Sequence, residues 1–194
     1  IYFTIFYISI SSYKHSFRNK YYLMKLKIFY LKNVNSTNDF AIRKIKQGKK
    51  DGIIISENQK KGRGRQGNKW ISLSGNLFIS IFHRLNRKIS IDKLTKKNCL
   101  LVKKALSNFT KEKIQMKPPN DLLIKKKKFC GILQEIITYK GKKYVIIGIG
   151  VNIHKNPNIK NYPTTSLLKY NNKINKMTIF KNIKKCYEKE LLCI

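Results

Sequence analysis

The sequence predicts an α+β fold: a mixed, mostly antiparallel sheet with helices packed on one side. Three observations carry it. Residues 92–109 and 178–192 show helical periodicity. Short apolar, β-branched runs bounded by turn residues recur between them, at 52–57, 76–83, 131–139 and 143–153, and Lys140-Gly141-Lys142 joins the last two as a hairpin. Finally, 194 residues with 42% hydrophobic content and no repeat or linker suit one domain with a real core.

Residues 1–13 are apolar and aromatic, with basic residues after them. They are too few for a bilayer span, which takes about 20 apolar residues; a short membrane-surface anchor is the alternative to an upstream extension. A signal peptide would carry its charge first. The expectation is that residues 1–23 are an upstream extension, that Met24 is the natural start, and that residues 24–194 form a single domain. Residues 25–31 alternate as a first strand. Asn35-Ser36-Thr37-Asn38 offers helix N-caps and Gly48 a C′ position, enclosing a helix of about ten residues anchored by Phe40, Ile42 and Ile45. Strand 52–57 enters a glycine loop and strand 76–83 leaves it. In helix 92–109, Leu94, Leu101, Val102, Ala105, Leu106 and Phe109 share one face. Residues 114–117 make a short strand, and Lys117-Pro118-Pro119-Asn120-Asp121 an extended corner. Lys125 to Lys128 reads as a solvated turn. Glycines inside strand 143–153, at 148 and 150, mark close approach of a ligand or another backbone. Residues 157–163 are a loop, and 178–192 a second amphipathic helix.

The formal net charge is +34, from 43 Lys+Arg against 9 Asp+Glu. Such a balance ordinarily points to nucleic acid or an anionic membrane. Here the excess is mostly Lys, spread along the chain beside abundant Ile, Asn, Tyr and Phe, which is what an AT-rich coding sequence produces. Aromatics are not interleaved with Arg as a stacking platform requires. No specific nucleic-acid or membrane partner is therefore expected. The four cysteines (99, 130, 186 and 193) lack metal-ligand spacing and read as small buried hydrophobes in a reducing, cytoplasmic compartment.

Residues 60–70, Lys-Lys-Gly-Arg-Gly-Arg-Gln-Gly-Asn-Lys-Trp, hold three glycines, several cations and the only Trp. Gly62, Gly64 and Gly67 satisfy G-x-G-x-x-G. A strand follows instead of a helix, and no carboxylate stands about 20 residues on, so the dinucleotide fingerprint fails its structural test. A glycine loop carrying Arg63 and Arg65 suits an anionic ligand that is covered after binding. A solvated basic hairpin loop is the alternative. Ser36, Thr37 and Asn38 are either a plain cap or a polar cluster at a ligand. Asn120 and Asp121 are either an Asx turn or a site.

In their order these segments resemble the catalytic domain of biotin–protein ligases. The matching blocks are Ser36-Thr37-Asn38; Ser56-Glu57-Asn58-Gln59 with Gly62-Arg63-Gly64-Arg65-Gln66-Gly67; Trp70 with Ser74-Gly75-Asn76-Leu77-Phe78; Lys117-Pro118-Pro119-Asn120-Asp121-Leu122; Lys128-Phe129-Cys130-Gly131-Ile132-Leu133; and Gly148-Ile149-Gly150-Val151-Asn152. The resemblance covers about residues 25–168. The resemblance implies the biotin/lipoate ligase catalytic fold, which is class II synthetase-like. It implies two-step chemistry: biotin and MgATP give biotinyl-5′-adenylate, then a lysine of the biotin carboxyl carrier protein of acetyl-CoA carboxylase takes the biotin.

By the same resemblance Ser36, Thr37, Asn38 and Gln59 hold the head of biotin. Gly62, Gly131, Gly148 and Gly150 admit close backbone approach. Arg63 and Arg65 close over the adenylate. Lys128 bridges biotin carboxylate and α-phosphate, and Asp121 orients it. Lys117, Asn120, Asp121, Asn152 and Trp70 lie at the nucleotide. Mg²⁺ comes with ATP, with no protein ligand assigned. The chain departs from the family at Pro118, where Trp is usual, and at Asn68, where some members have Arg. Neither a helix-turn-helix nor a C-terminal β-domain is expected. A homodimer through edge strands is compatible with the sequence. The rivals are a lipoate–protein ligase, a degraded ligase and a basic nucleic-acid-binding module.

Overall fold

The computed structural model describes residues 25–85, 89–160 and 162–191. The expectations for residues 1–23 and Met24, and those for Leu192 and Cys193, fall outside them. The described residues form one seven-stranded sheet with three helices. The strands are β1 (Ile28–Val34), β2 (Asp51–Gln59), β3 (Leu77–Arg84), β4 (Ile114–Lys117), β5 (Asp121–Ile124), β6 (Lys127–Tyr139) and β7 (Lys142–Val151). Their order across the sheet is β1-β2-β3-β7-β6-β5-β4, and every pairing is antiparallel except β1 with β2. That parallel pair needs a crossover connection, and α1 (Thr37–Lys46) supplies it.

The sequence sets α1 at both ends. Ser36 is the N-cap, its hydroxyl accepting from the Asp39 N–H at 3.3 Å, and Asp39 places a negative charge in the first turn. Gly48 leaves the helix at φ 84°, the left-handed conformation that glycine tolerates.

The mostly antiparallel α+β fold is the expected one, but the helices do not all lie on one side. Alternation along β2 sends Ile53 and Ile55 to a core with α2 (Ile91–Ser107) and α3 (Lys176–Leu191), while Ile54 joins Phe82, Tyr144 and Ile146 beneath Ala41 and Ile45 of α1. The central strands are apolar on both faces, so both must be covered.

The second difference is β5, a strand not expected from the sequence, which lies between the expected corner at 117–121 and the expected turn at 125–128. Lys125 and Lys126 alone make that turn, at φ 49° and 63°, and Lys127 and Lys128 already belong to β6. A two-residue hairpin turn with both residues left-handed matches strand twist. The run of four lysines hides it, because such a run reads as solvated throughout.

Asn76 ties the start of β3 to the chain leaving β7. Its Oδ1 accepts from the backbone N–H groups of Ile153, His154 and Lys155 at 2.9, 3.0 and 3.2 Å, and its Nδ2 donates to the Lys155 carbonyl at 2.7 Å. Asn76→Ala leaves these groups without partners in a buried place. It is expected to lower unfolding free energy by about 3 kcal/mol, read as a shifted urea midpoint at unchanged slope.

Cys99, Cys130 and Cys186 are free thiols; burial pushes Cys99 up to about 11 and Cys130 well above the usual thiol range. No helix among the described residues is long and apolar enough to cross a membrane.

Candidate functional site

On the α1 face the sheet changes character along its strands. Helix α1 covers the end built from Ile54, Phe82 and Ile146. Two residues further along each ladder the large side chains give way: Ser80 pairs with Gly148, Gly148 with Leu133, and Gly150 with Gly131. The missing side chains leave a cleft, closed on one side by the α1 N-terminus and roofed by the glycine loop. Ser36, Thr37, Asn38, Gln59, Arg63, Trp70, Leu133, Gly148 and Gly150 line it. Its free volume is about 30 Å³, room for roughly one water.

One end of the cleft is a polar network. Thr37 donates to Gln59 Oε1 from its backbone N–H at 2.9 Å and its hydroxyl at 3.2 Å. Gln59 Nε2 donates to Ser72 Oγ at 3.1 Å. Ser80 Oγ lies 2.8 Å from Thr37 Oγ1 and also meets Asn38 Oδ1. Asn38 Nδ2 donates to Glu135 Oε2 at 2.6 Å. Ser36, Thr37 and Asn38 are buried although polar, which a mere surface cap would not require.

The floor is glycine because side chains press directly on backbone. A Cβ on Gly150 would sit 2.5 Å from Trp70 Cε2, and one on Gly131 2.8 Å from Trp70 Cζ3. At Gly148 it would overlap the Asn38 amide, and at Gly62 it would come within 2.6 Å of the Trp70 carbonyl. The Trp70 indole therefore lies across the Gly131–Gly150 pair. Its Nε1 is buried without a hydrogen-bond partner.

The other end is charged. The β5–β6 hairpin brings Lys128 Nζ to 2.8 Å from Asp121 Oδ1, both side chains mostly buried. Tyr162 donates its hydroxyl to Asp121 Oδ2 at 2.6 Å. Lys128 Nζ lies 5.5 Å from the Trp70 ring centroid and 5.4 Å from that of Tyr162, and Lys117 Nζ sits 4.3 Å from the Tyr162 centroid. Burial, then the hydrogen bond to Asp121 and its charge, push the Tyr162 phenol well above the usual tyrosine range. Lys128 is fixed by its backbone, whose N–H donates to the Pro163 carbonyl and whose carbonyl accepts from the Thr165 N–H, each at 2.9 Å.

Two amides of the resemblance are tied into the frame. Asn120 Nδ2 donates to the Ile132 carbonyl at 2.8 Å. Asn152 is buried, donates to the Thr165 carbonyl at 3.2 Å, and accepts from Asn76 at 3.4 Å. The two loop arginines differ. Arg63 is held by Asp39 and Glu135 at 2.8 and 2.9 Å. Arg65 opens the 3-10 turn Arg65–Gly67 and stands exposed at the loop tip.

Sequence reasoning missed Tyr162 and Glu135. Nothing local marks Tyr162, which arrives through the pairing of its loop with Lys128. Glu135 did carry a signal: one of only 9 acids in the chain stands inside an apolar strand.

Comparison with known proteins follows the same lines. The bifunctional ligase/repressor BirA of Escherichia coli is 33% identical over 123 residues, which is 62% of this chain and 38% of that protein. BirA of Bacillus subtilis is 30% identical over 145 residues, 71% of this chain and 45% of that protein. The chain thus spans less than half the length of these curated relatives. The biotin protein ligase of Aquifex aeolicus, solved with biotin and ATP, superposes with a TM-score of 0.71 at 27% identity, over 86% of this chain and 70% of that one. The family model for biotin/lipoate A/B protein ligases matches residues 30–152. That match takes in more than half of the sequence, the cleft and the Lys128–Asp121 pair with it, and the chain belongs to the biotin/lipoate A/B protein ligase family.

Proposed function

We propose that this chain carries the catalytic centre of an ATP-dependent biotin–protein ligase. The observation that supports it most is the polarity of one cleft: the uncharged donors and acceptors of Ser36, Thr37, Asn38 and Gln59 at one end, a glycine floor, and a mostly buried lysine–carboxylate pair at the other. A ureido ring offers two N–H donors and a carbonyl, which Ser36, Thr37, Asn38 and Gln59 can match. An aliphatic tail would lie on Gly131, Gly148 and Gly150, beneath Gly62. Its carboxylate would end at Lys128.

In the first step a biotin carboxylate oxygen attacks the α-phosphorus of ATP, the bond from that phosphorus to the bridging oxygen breaks, and pyrophosphate leaves. Two anions must meet in line, so their charge has to be screened by groups already in place. Lys128 lies at the carboxylate end, and Asp121 orients it without competing for the phosphate. Arg65, exposed at the loop tip, closes over the phosphates with the loop, which excludes water from a reactive mixed anhydride. Lys117, Asn120, Asn152 and the nearby Trp70 form the nucleotide end. Among the described residues no three His, Cys, Asp or Glu side chains converge on one point; Mg²⁺ is read as part of the substrate MgATP. In the second step the neutral amine of an acceptor lysine attacks the acyl carbon, AMP leaves, and the amine proton is lost. The acceptor proposed is the biotin carboxyl carrier protein of acetyl-CoA carboxylase.

The indole of Trp70 rests where the biotin tail would lie. On this reading it moves off the floor as ligand enters and packs at the adenine. Biotin-dependent exchange of labelled pyrophosphate into ATP tests the first step alone. Exchange that requires biotin is expected; exchange supported by lipoate and not biotin would transfer the assignment to the lipoate branch of the family. Tyr162→Phe removes one hydrogen bond to Asp121 and keeps the ring between the two lysines. It is expected to slow exchange about tenfold with little change in KM for biotin. A shifted KM at constant kcat would show that Tyr162 serves binding instead.

A further inference from the structure

We infer that Glu135 is a positioning residue: it latches the glycine loop shut over the cleft by holding Arg63. Its structural part stands on geometry alone; its consequence for ligand release rests on the reading above.

Glu135 projects from β6 on the α1 face, opposite Ile146. A single oxygen, Oε2, accepts from Asn38 Nδ2 at 2.6 Å and from Arg63 at 2.9 Å. Its side chain is only a quarter exposed. The same Arg63 nitrogen reaches Asp39 at 2.8 Å, but that carboxylate is half exposed. Charge-assisted bonds shielded from solvent hold better than exposed pairs, so Glu135 is the stronger of the two anchors.

Anchoring Arg63 anchors the whole loop. Arg63 bridges to Lys69, the Gly64 N–H donates to the Asn68 carbonyl at 2.6 Å, and the Trp70 N–H donates to the Gly62 carbonyl at 3.0 Å. Both strands of the loop thus move with this one guanidinium. Glu135 also grips Asn38, whose amide presses on Gly148. One carboxylate therefore joins the roof of the cleft to its wall.

The arrangement divides the two loop arginines. Arg63 faces two carboxylates, and its charge is neutralised where it stands. Arg65 makes no ion pair or side-chain hydrogen bond among the described residues and keeps its charge for an incoming anion. The loop then closes by protein–protein contact before any phosphate is present, and Glu135 sets how readily it opens to admit or release ligand.

The test uses Glu135→Gln, close in shape but uncharged, with Arg63→Gln and the double variant. In ligand-free protein, hydrogen exchange of the amides of residues 62–70 is expected to rise about tenfold in Glu135→Gln and at least as much in Arg63→Gln, which also loses Asp39, and no further in the double than in Arg63→Gln, where the Glu135 contact is already gone. Biotin dissociation from Glu135→Gln is expected to quicken about tenfold. Unchanged loop exchange in Glu135→Gln, or additive effects in the double, would overturn the latch. If Glu135→Gln fails to fold, as circular dichroism would show, loop exchange in Arg63→Gln is compared with Asp39→Asn, which removes the other ion pair: a larger rise in Arg63→Gln supports the latch, and an equal rise or none overturns it. A parent protein that binds no biotin would sink the ligase reading, while the ligand-free exchange still judges the latch.

Discussion

Lys128→Ala is expected to slow biotinyl-adenylate formation by about a thousandfold and leave the fold intact. The size follows from what is lost: a preorganised cation at the point where two anions must meet, which is worth several powers of ten in comparable sites. The fold should survive because the backbone of Lys128 makes the structural contacts, to Pro163 and Thr165, and alanine keeps them. Asp121 would lose its ion pair but keep the Tyr162 hydroxyl, so the stability loss should be about 1 kcal/mol. Lys128→Arg refines the result. It preserves charge, but its planar fork cannot occupy the place of a compact ammonium between Asp121, Trp70 and Tyr162, and it should recover only a small part of the rate. Single-turnover assay of adenylate, with circular dichroism as the control, reads both variants. Parent-like turnover in Lys128→Ala would remove this lysine from the mechanism.

Gly148→Ala should have the second largest effect, weakening biotin binding by about a hundredfold. The added methyl would overlap Asn38 Oδ1, with Asn38 Cγ and Nδ2 only 3.0 and 3.1 Å away. Asn38 cannot simply swing aside. It is 3% exposed, sits in the first turn of α1, and is pinned by Ser80 and Glu135. The strain must pass into the N-terminus of α1, and so into the Ser36, Thr37 and Gln59 network. Gly141→Ala is the matched control. Its φ of 69° makes it strained, but nothing lies within 4 Å of the new methyl, so it should cost about 1 kcal/mol of stability and no affinity. Calorimetric titration with biotin separates them. Equal affinities for Gly148→Ala and parent would mean that the ligand does not rest on this floor.

The elements that sequence alone located were those whose signals are local. Caps and a glycine stop bounded α1; amphipathic periodicity found α2 and α3; the Lys140-Gly141-Lys142 turn found β6 and β7. What it missed depended on distance or on burial of both faces. Strand β5 hid behind four lysines, two of which turn while two extend. The position of α1 on the opposite face is written in the unbroken Ile53-Ile54-Ile55 run, which leaves apolar side chains on both faces of the sheet and so calls for a cover on each.

The site divides in the same way. The glycines at 148 and 150 were legible because a glycine inside a strand asks for an explanation, those at 62 and 131 through the motifs that hold them, and close contact with Trp70 or Asn38 supplies the reason. The chain order of the motifs also brought Lys128, Asp121 and Gln59 together as candidates. Tyr162 and Glu135 lie outside those motifs. The one reaches Asp121 through the pairing of a distant loop, the other reaches Arg63 across the cleft, and only the folded sheet makes either a neighbour.

If this cleft activates biotin and delivers it to a protein lysine, the chain should biotinylate a carrier on its own. The most direct measurement incubates the purified chain with ATP, Mg²⁺ and a biotin carboxyl carrier domain, with biotin or lipoate in parallel, and weighs the carrier by mass spectrometry. One biotinyl group is expected on the carrier, none without ATP, and no lipoyl group. A lipoyl gain, or no gain on a carrier that another biotin ligase modifies under the same conditions, would contradict the proposed function.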